Sequence, residues 1–421
     1  MIQIPFIDPG QAMVEAADPA VLIRYAFEGV ELGPLIQARV GALGSGGDDA
    51  ARLIELSLLF QLVGERDKAL LCLDNALDAC RVYHHAAQGA PKLRLLVLAT
   101  RGDLMANTPV ELMIEGRGVD VAKIYLDLDH PWPLAMPDHD LALMAVSESD
   151  ETHALLEYMS GLEAKWPRPM INTPAGVLDL ARDRLYRRLE DASGIAIPPT
   201  LQLTRADLAQ AVDTRTPPAA LARGLPLIIR PVGSHAGKAL ERVDDWASLQ
   251  AYLAGSQDSL FYVSPFIDYA SADGLYRKYR IACFGGRAHL CHMAVSEHWM
   301  VHYLNAGMAE SAAKRAEEQR AMETFDEDFA RRHADAFTEL QARLGLSLFA
   351  VDCAETPDGE LLIFEADVAM IIHDLDPADL YPYKKVQMRK VFDAFERFLH
   401  AAAGDRVSQG GRPSVNQFSA A

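Results

Sequence analysis

The chain has 421 residues, with 59 acidic against 40 basic side chains, a net charge of −19 and half of its residues apolar. That length suits about two or three domains with cores of their own, and the acidic balance argues against a nucleic-acid partner, whose phosphates reward a basic face. No apolar run reaches the ~20 residues that a membrane span needs, and no basic residue precedes Arg24, so neither a membrane segment nor a secretory leader is expected.

Cys72, Cys80, Cys283, Cys291 and Cys353 form an odd set without C-x-x-C spacing and read as reduced core thiols of a cytoplasmic protein. Residues 1–47 are punctuated by Pro and Gly, with one helical patch near Ala20–Val30 and a linker at Gly44-Ser45-Gly46-Gly47. Residues 48–90 carry two amphipathic patterns, Leu53, Leu56, Leu59 and Phe60 and then Ala69, Leu70, Leu73, Ala76 and Leu77, joined at Gly64-Glu65. This pair resembles a single tetratricopeptide unit. One unit is too few for a free array, so a helical hairpin packed on the next domain is expected.

Residues 91–172 change period. Strand-like Leu93–Ala99, Val121–Leu126, Leu141–Val146 and Met170-Ile171 alternate with helical signals, at Asn107-Thr108-Pro109 and over Asp150–Leu162. That alternation predicts an α/β domain with a mainly parallel sheet. Asn172-Thr173-Pro174 opens another capped helix, with Leu178, Ala181, Leu185 and Leu189 facing inward. A polar helix from Ala206 and a strand at Pro226–Arg230 lead into the glycine-bearing loop Gly233-Ser234-His235-Ala236-Gly237. The loop is not a Walker A motif, because Ala239 follows Lys238 where a hydroxyl should stand.

Leu346–Asp367 alternates apolar and polar residues around Asp358-Gly359, a strong two-residue hairpin signal. With those two as the loop, Pro357 faces Glu360, Asp352 falls opposite Glu365, and Asp367 shares their face. Three like charges on an otherwise apolar hairpin call for compensation. Either a hard divalent cation supplies it, Mg²⁺ or Mn²⁺, or the acids lie on a solvated edge. Pro382–Leu399 reads as a closing amphipathic helix and residues 404–421 as a disordered tail.

A further set of residues follows in order: Asn172 and Pro174, the basic Arg182-Asp183-Arg184, Gly194-Ile195 before Pro198-Pro199-Thr200, and Arg230-Pro231 entering the glycine loop. Then come Val263–Ile267, Arg280 ahead of Gly285-Gly286, Asn305 before Gly307, and the three hairpin acids. This order resembles the ATP-grasp superfamily, in the branch of ribosomal-protein glutamate ligases and lysine-biosynthesis ligases. The resemblance implies an N-terminal α/β domain, a central flap lobe over residues 173–263 and a C-terminal antiparallel-sheet lobe over 264–403. It also implies ATP held between the lobes, and a carboxylate activated as an acyl phosphate that an amine attacks.

By the same resemblance Arg184 and Arg230 would touch the phosphates, where lysines are usual. Gly233, Ser234, His235 and Gly237 would form the flap, while Tyr262 to Ile267, with Val263, Phe266 and Ile267 among them, would face adenine and Asp268 the ribose. Arg280 and Asn305 would be catalytic, and Asp352, Glu365 and Asp367 would hold Mg²⁺ or Mn²⁺. Pro265 lacks an N–H for reading adenine, Lys278 stands where the family often has an acid, and Asp367 replaces an asparagine. His292, His298 and His302 would border the acceptor pocket. The partners implied are ATP with a small carboxylate and an amine, or a peptide or protein substrate; a homo-oligomer is compatible. A kinase using the same ATP site and a catalytically silent scaffold are the alternative readings.

Overall fold

The computed structural model describes residues 6–129, 135–218, 221, 224–234 and 237–404. The predicted tail therefore lies outside the described residues, apart from its first residue. Strands β1 (Phe6–Asp8) and β2 (Val14–Glu15) precede four helices, α1 (Pro19–Phe27), α2 (Gly33–Ala42), α3 (Asp49–Leu62) and α4 (Arg66–Ala79). The Asp18 carboxylate accepts the Ala20 N–H to cap α1, and Asp48 caps α3 in the same way. Sequence reading missed α2, because Gly33-Pro34 looked like a break. Proline at the first helical positions loses no intrahelical hydrogen bond, so here it opens a helix.

The α3–α4 pair packs through Leu73, Ala76 and Leu77 on Tyr83 of β3 (Val82–His85). Helix α1 reaches further. Ala20 and Ile23 share a small apolar cluster with Leu112 and Leu375, and the Arg24 guanidinium pairs with Glu115 and Asp374.

Next come β4 (Leu93–Thr100), α5 (Glu111–Ile114), β5 (Val119–Leu126), β6 (Ala135–Pro137), β7 (Leu141–Met144), α6 (His153–Met159) and β8 (Met170–Ile171). Strands β4, β5, β7 and β8 run parallel within a sheet of order β2-β3-β5-β4-β7-β8. β4 is buried along almost its whole length, as strands covered on both faces are. Asn107 does not cap a helix as predicted. Its side chain accepts the Thr100 N–H at 2.7 Å and donates to the Thr100 carbonyl at 2.8 Å, and α5 begins only at Glu111.

The middle of the chain holds α7 (Pro174–Leu178), α8 (Arg182–Leu189), β9 (Ile195–Ala196), β10 (Leu201–Thr204), α9 (Arg205–Thr214), β11 (Leu227–Pro231), β12 (Glu241–Val243), α10 (Trp246–Gly255) and β13 (Leu260–Pro265). The antiparallel sheet β10-β13-β11-β12 has its own core, including Leu208, Ile229, Leu249, Phe261 and Val263. The last part comprises β14 (Tyr276–Phe284), β15 (Arg287–Ser296), α11 (Ala312–Thr324), α12 (Phe329–Arg332), α13 (Ala334–Leu344), β16 (Leu348–Glu355), β17 (Leu361–Asp367) and α14 (Lys384–Ala402). Its sheet order is β15-β14-β16-β17-β9, so a strand that precedes the four-stranded sheet closes the edge of the five-stranded one. The α/β class, the parallel first sheet and the two later sheets agree with expectation.

The capped helix expected at Asn172-Thr173-Pro174 is α7, with Thr173 as its cap accepting the Gly176 N–H. Asn172 is buried with φ +62°, accepts the Ser347 and Leu348 N–H groups at 3.1 and 3.0 Å, and donates to the Leu348 carbonyl at 2.7 Å. It stitches the end of β8 to the start of β16.

The hairpin differs in detail. Gly359 (φ +84°) donates its N–H to Thr356, and the Thr356 N–H returns to Glu360, so the loop holds one residue more than predicted. A bulge at Phe364 then restores the count, and Asp352 still faces Glu365.

No helix among the described residues is long and apolar enough to cross a membrane. All five cysteines are free thiols; Cys283, Cys291 and Cys353 are buried and Cys72 and Cys80 partly so.

Candidate functional site

The four-, five- and six-stranded sheets meet at a solvent-open cleft. One wall is the loop after β7, with Glu148, Ser149 and Asp150, at the carboxyl end of a parallel strand where ligands of such sheets collect. The second wall brings Arg182 from the start of α8, Gly233 and Ser234 from the loop after β11, and Tyr262 from β13. The floor is β17, from Glu365 to Asp367. The Ser147 hydroxyl donates to Asp367 at 2.8 Å and ties the first wall to the floor.

Strand register builds a row of charged groups across the five-stranded sheet. His292 of β15 stands opposite Arg280 of β14, Arg280 opposite Asp352 of β16, and Asp352 opposite Glu365 of β17. Arg280 donates to both Asp352 oxygens, at 2.8 and 3.0 Å, and the Lys278 ammonium lies 2.7 Å from the same carboxylate. Burial alone would push the Asp352 carboxyl up, but the two cations hold it far below the usual carboxylate range. Arg182 pairs with Glu365 and likewise outweighs the burial that would raise it.

Asp367 differs. Burial, with Glu365 beside it, raises its pKa, and it accepts hydrogen bonds from the Ser147 hydroxyl and the Ala369 N–H, at 2.8 and 3.0 Å.

The three acids are therefore not gathered as a set, and among the described residues no three His, Cys, Asp or Glu side chains are grouped to hold a metal ion. Cationic side chains compensate Asp352 and Glu365. Arg280 and Lys278 meet both oxygens of Asp352, which does not line the cleft. Glu365 and Asp367 fit a metal ion delivered with phosphates: both line the cleft, their oxygens are hard, and Mg²⁺ commonly uses one or two carboxylates together with phosphate oxygens and water.

The remaining predicted residues are spread around this cleft. Arg230 is buried, donates from Nε to the Ser234 hydroxyl at 3.0 Å and also bonds the Ser234 carbonyl. Burial and then repulsion by Arg182 pull its pKa down to about 10. Gly233 and Gly237 both have left-handed backbones, at φ +76° and +73°. His235 lies outside the described residues.

Arg184 turns away to His153, 3.2 Å distant. Val263 is 1 % exposed and points into the core of the four-stranded sheet. Of that stretch, the period of two along β13 gives the cleft to Tyr262, whose hydroxyl pKa burial pushes up to about 12.

The Phe266 N–H is taken by the Pro226 carbonyl at 3.0 Å, and the Arg242 guanidinium lies 4.3 Å from the Phe266 ring centre. Ile267 packs on the main core, and Asp268 accepts its own Ala270 N–H at 3.1 Å. Asn305 accepts the His302 N–H at 3.0 Å and closes a short turn. Sequence reading missed Arg182, Glu148 and Ser147 as site residues. Only Arg182 carried a signal, as the first residue of the basic Arg182-Asp183-Arg184 segment.

No protein-family model matches the chain, and no curated protein matches it. Among solved structures it is similar to a RimK domain protein ATP-grasp from Sphaerobacter thermophilus, at 18% identity over 70% of this chain and 98% of that one, with a TM-score of 0.39. It is also similar to the D-alanine-D-alanine ligase from Coxiella burnetii (14% identity, 75% and 96%, TM-score 0.45). A third is D-alanyl-alanine synthetase A from Vibrio cholerae O1 biovar eltor (11% identity, 76% and 99%, TM-score 0.47). Likeness at this level does not carry an activity over to the chain.

Proposed function

We propose that the chain is an ATP-dependent carboxylate–amine ligase of the ATP-grasp type. The observation that carries this reading is the charge layout of the one cleft shared by three sheets, with the Arg182 guanidinium on one wall and the Glu365 and Asp367 carboxylates on the floor. A phosphate chain needs cations and backbone N–H donors. Arg182 and the backbone around Gly233 supply them, with Arg230 behind bracing the flap through Ser234. The order of sequence motifs supports the same reading.

Glu365 and Asp367 would hold a phosphate-borne Mg²⁺, which when bound neutralises charge on the phosphates. Arg182 binds and orients the phosphates. The substrate carboxylate oxygen bonds to the γ-phosphorus as the bond to ADP breaks, giving an acyl phosphate. An amine nitrogen then attacks the acyl carbon, phosphate leaves with the C–O electron pair, and the amine loses a proton. Tyr262 and the loop after β7 narrow the cleft around the reacting groups.

Hydroxylamine tests this without knowledge of the natural amine, because it converts an acyl phosphate to a hydroxamate. The full chain with Mg-ATP and a panel of carboxylic acids should release ADP and phosphate and form hydroxamate only when a suitable acid is present. Failure of ATP to bind in calorimetry overturns the reading. A second reading, a nucleotide-binding protein without turnover, is favoured by one observation: the backbone donor of Phe266 is consumed by Pro226 and its ring is covered by Arg242. ATP binding with no turnover for any acid would select it.

A further inference from the structure

Charge is distributed unevenly along the row. At the β17 end the cleft shows carboxylates. At the β14 end Lys278 and Arg280 share one partner, Asp352, whose side chain is 5 % exposed while theirs are 24 % and 22 % exposed. Two cations on one buried carboxylate leave an excess positive charge, and solvent meets the cations rather than the anion.

His302 stands close enough to both that, after burial, they are the main influences depressing its pKa. Its Nδ1 accepts the Leu304 N–H, which leaves the proton on Nε2 as a donor. Behind them a buried assembly fixes the wall. Lys384 Nζ contacts Glu318 and Asp376, each at 3.1 Å, and donates to the Tyr303 hydroxyl at 2.7 Å, while the Tyr303 ring packs on His292. Lys384 thus has two carboxylates to itself, whereas Lys278 and Arg280 share Asp352.

We propose that Lys278, flanked by Arg280 and His302, holds a second anionic group of the substrate and so selects a carboxylic acid bearing more than one negative charge. This rests on the ligase reading and names its substrate class. The Lys278 ammonium reaches the Asp352 carboxylate on β16, and β16 lies one strand, ~4.8 Å, from β17. An acid whose reacting carboxyl lies over the β17 floor can place a second anion at Lys278 if its chain is a few bonds long. A monoacid leaves the site at Lys278 without a ligand. Lys278 would thus be a specificity-determining residue, distinct from the groups that hold phosphate.

The test is calorimetry on the full chain, with and without ATP, using glutarate and succinate against valerate and butyrate. The diacids should bind at least roughly tenfold tighter, the worth of one charge-assisted hydrogen bond. K278Q should abolish that discrimination and K278R should restore most of it. K278M, which keeps the apolar stem, replaces K278Q if circular dichroism shows the latter unfolded. Equal binding of diacids and monoacids by the natural protein overturns the proposal, as does unchanged discrimination in K278Q or K278M. These readouts are independent of turnover. Absence of ATP binding defeats the ligase reading, while loss of the diacid preference alone defeats only this one.

Discussion

Asp352 and Arg280 face each other in register across β16 and β14, and their side chains meet through two hydrogen bonds of 2.8 and 3.0 Å. With Lys278 on the same carboxylate, the group forms an ion cluster. Removing the single anion leaves two cations with no partner in a largely buried place. Asp352→Ala is therefore expected to lower the unfolding free energy by about 3 kcal/mol, measured by urea denaturation. A loss below about 1 kcal/mol would mean that the cluster is not formed in solution.

Arg182 is the cleft guanidinium whose partner, Glu365, is 34 % exposed. Its pair contributes little to stability, no more than about 1 kcal/mol after solvent screening. Against a phosphate ligand it matters more. Arg182→Met is expected to weaken ADP binding roughly tenfold to a hundredfold, read by calorimetry with the urea midpoint as a control for folding. Unchanged ADP affinity would remove Arg182 from the phosphate site.

Glu365 and Asp367, not Asp352, should govern any dependence of nucleotide binding on Mg²⁺. Asp367→Asn is expected to raise the Mg²⁺ concentration for half-maximal ATP binding severalfold, since one charged oxygen ligand becomes neutral. Titrating Mg²⁺ at fixed ATP decides this. A variant that titrates like the natural protein would exclude Asp367 from the ion's surroundings.

Asn172 makes three hydrogen bonds to the start of β16 from a left-handed backbone. Asn172→Ala loses all three and also strains the backbone, so a loss of about 3 kcal/mol is expected. Asn172→Gly should recover only the backbone part. If the glycine variant were as stable as the natural chain, the side chain would not be stitching the strands together.

His84 bridges Glu15 and Asp120, with Nε2 2.9 Å from Asp120. Burial pulls its pKa down, but the hydrogen bonds to the two carboxylates outweigh that and raise it. A raised folded-state pKa gives stability that is fully present below the ordinary histidine range and is lost as pH rises through the shifted value. His84→Gln should therefore cost more stability near pH ~5.5 than near pH ~8.5. Thermal melts at the two pH values check the sign, and an equal cost at both would show that the imidazole is not charged.

Local patterns were legible where a residue's role depends on its neighbours in sequence. The buried run of β4 follows directly from its period. Leu178, Ala181, Leu185 and Leu189 are buried as expected, but the single helix read through them is broken into α7 and α8, with Ala181 an extended residue at the start of α8. The pairing of Asp352 with Glu365 was read correctly through two errors that cancel, a loop one residue longer and a bulge one residue further on. The partners of those acids were not legible. Arg182 lies 183 residues from Glu365 in the chain and Arg280 lies 72 from Asp352, and only tertiary packing brings them together. A carboxylate cluster read from a strand alone cannot reveal that its countercharges come from other elements. Val263 and Tyr262 teach a related lesson: a motif brings a strand to a cleft, but its alternation decides which residue enters.

The cluster of Ala20 and Ile23 with Leu375, together with the Arg24 contact to Asp374, makes the amino-terminal helices a clamp on the segment between β17 and α14. At the residue after Leu375, Asp376 meets the Lys384 ammonium. Shortening the chain from its beginning would thus loosen a wall built from its far end. A protein that grasped those helices would have a lever on the acid-selecting side of the molecule without entering the cleft.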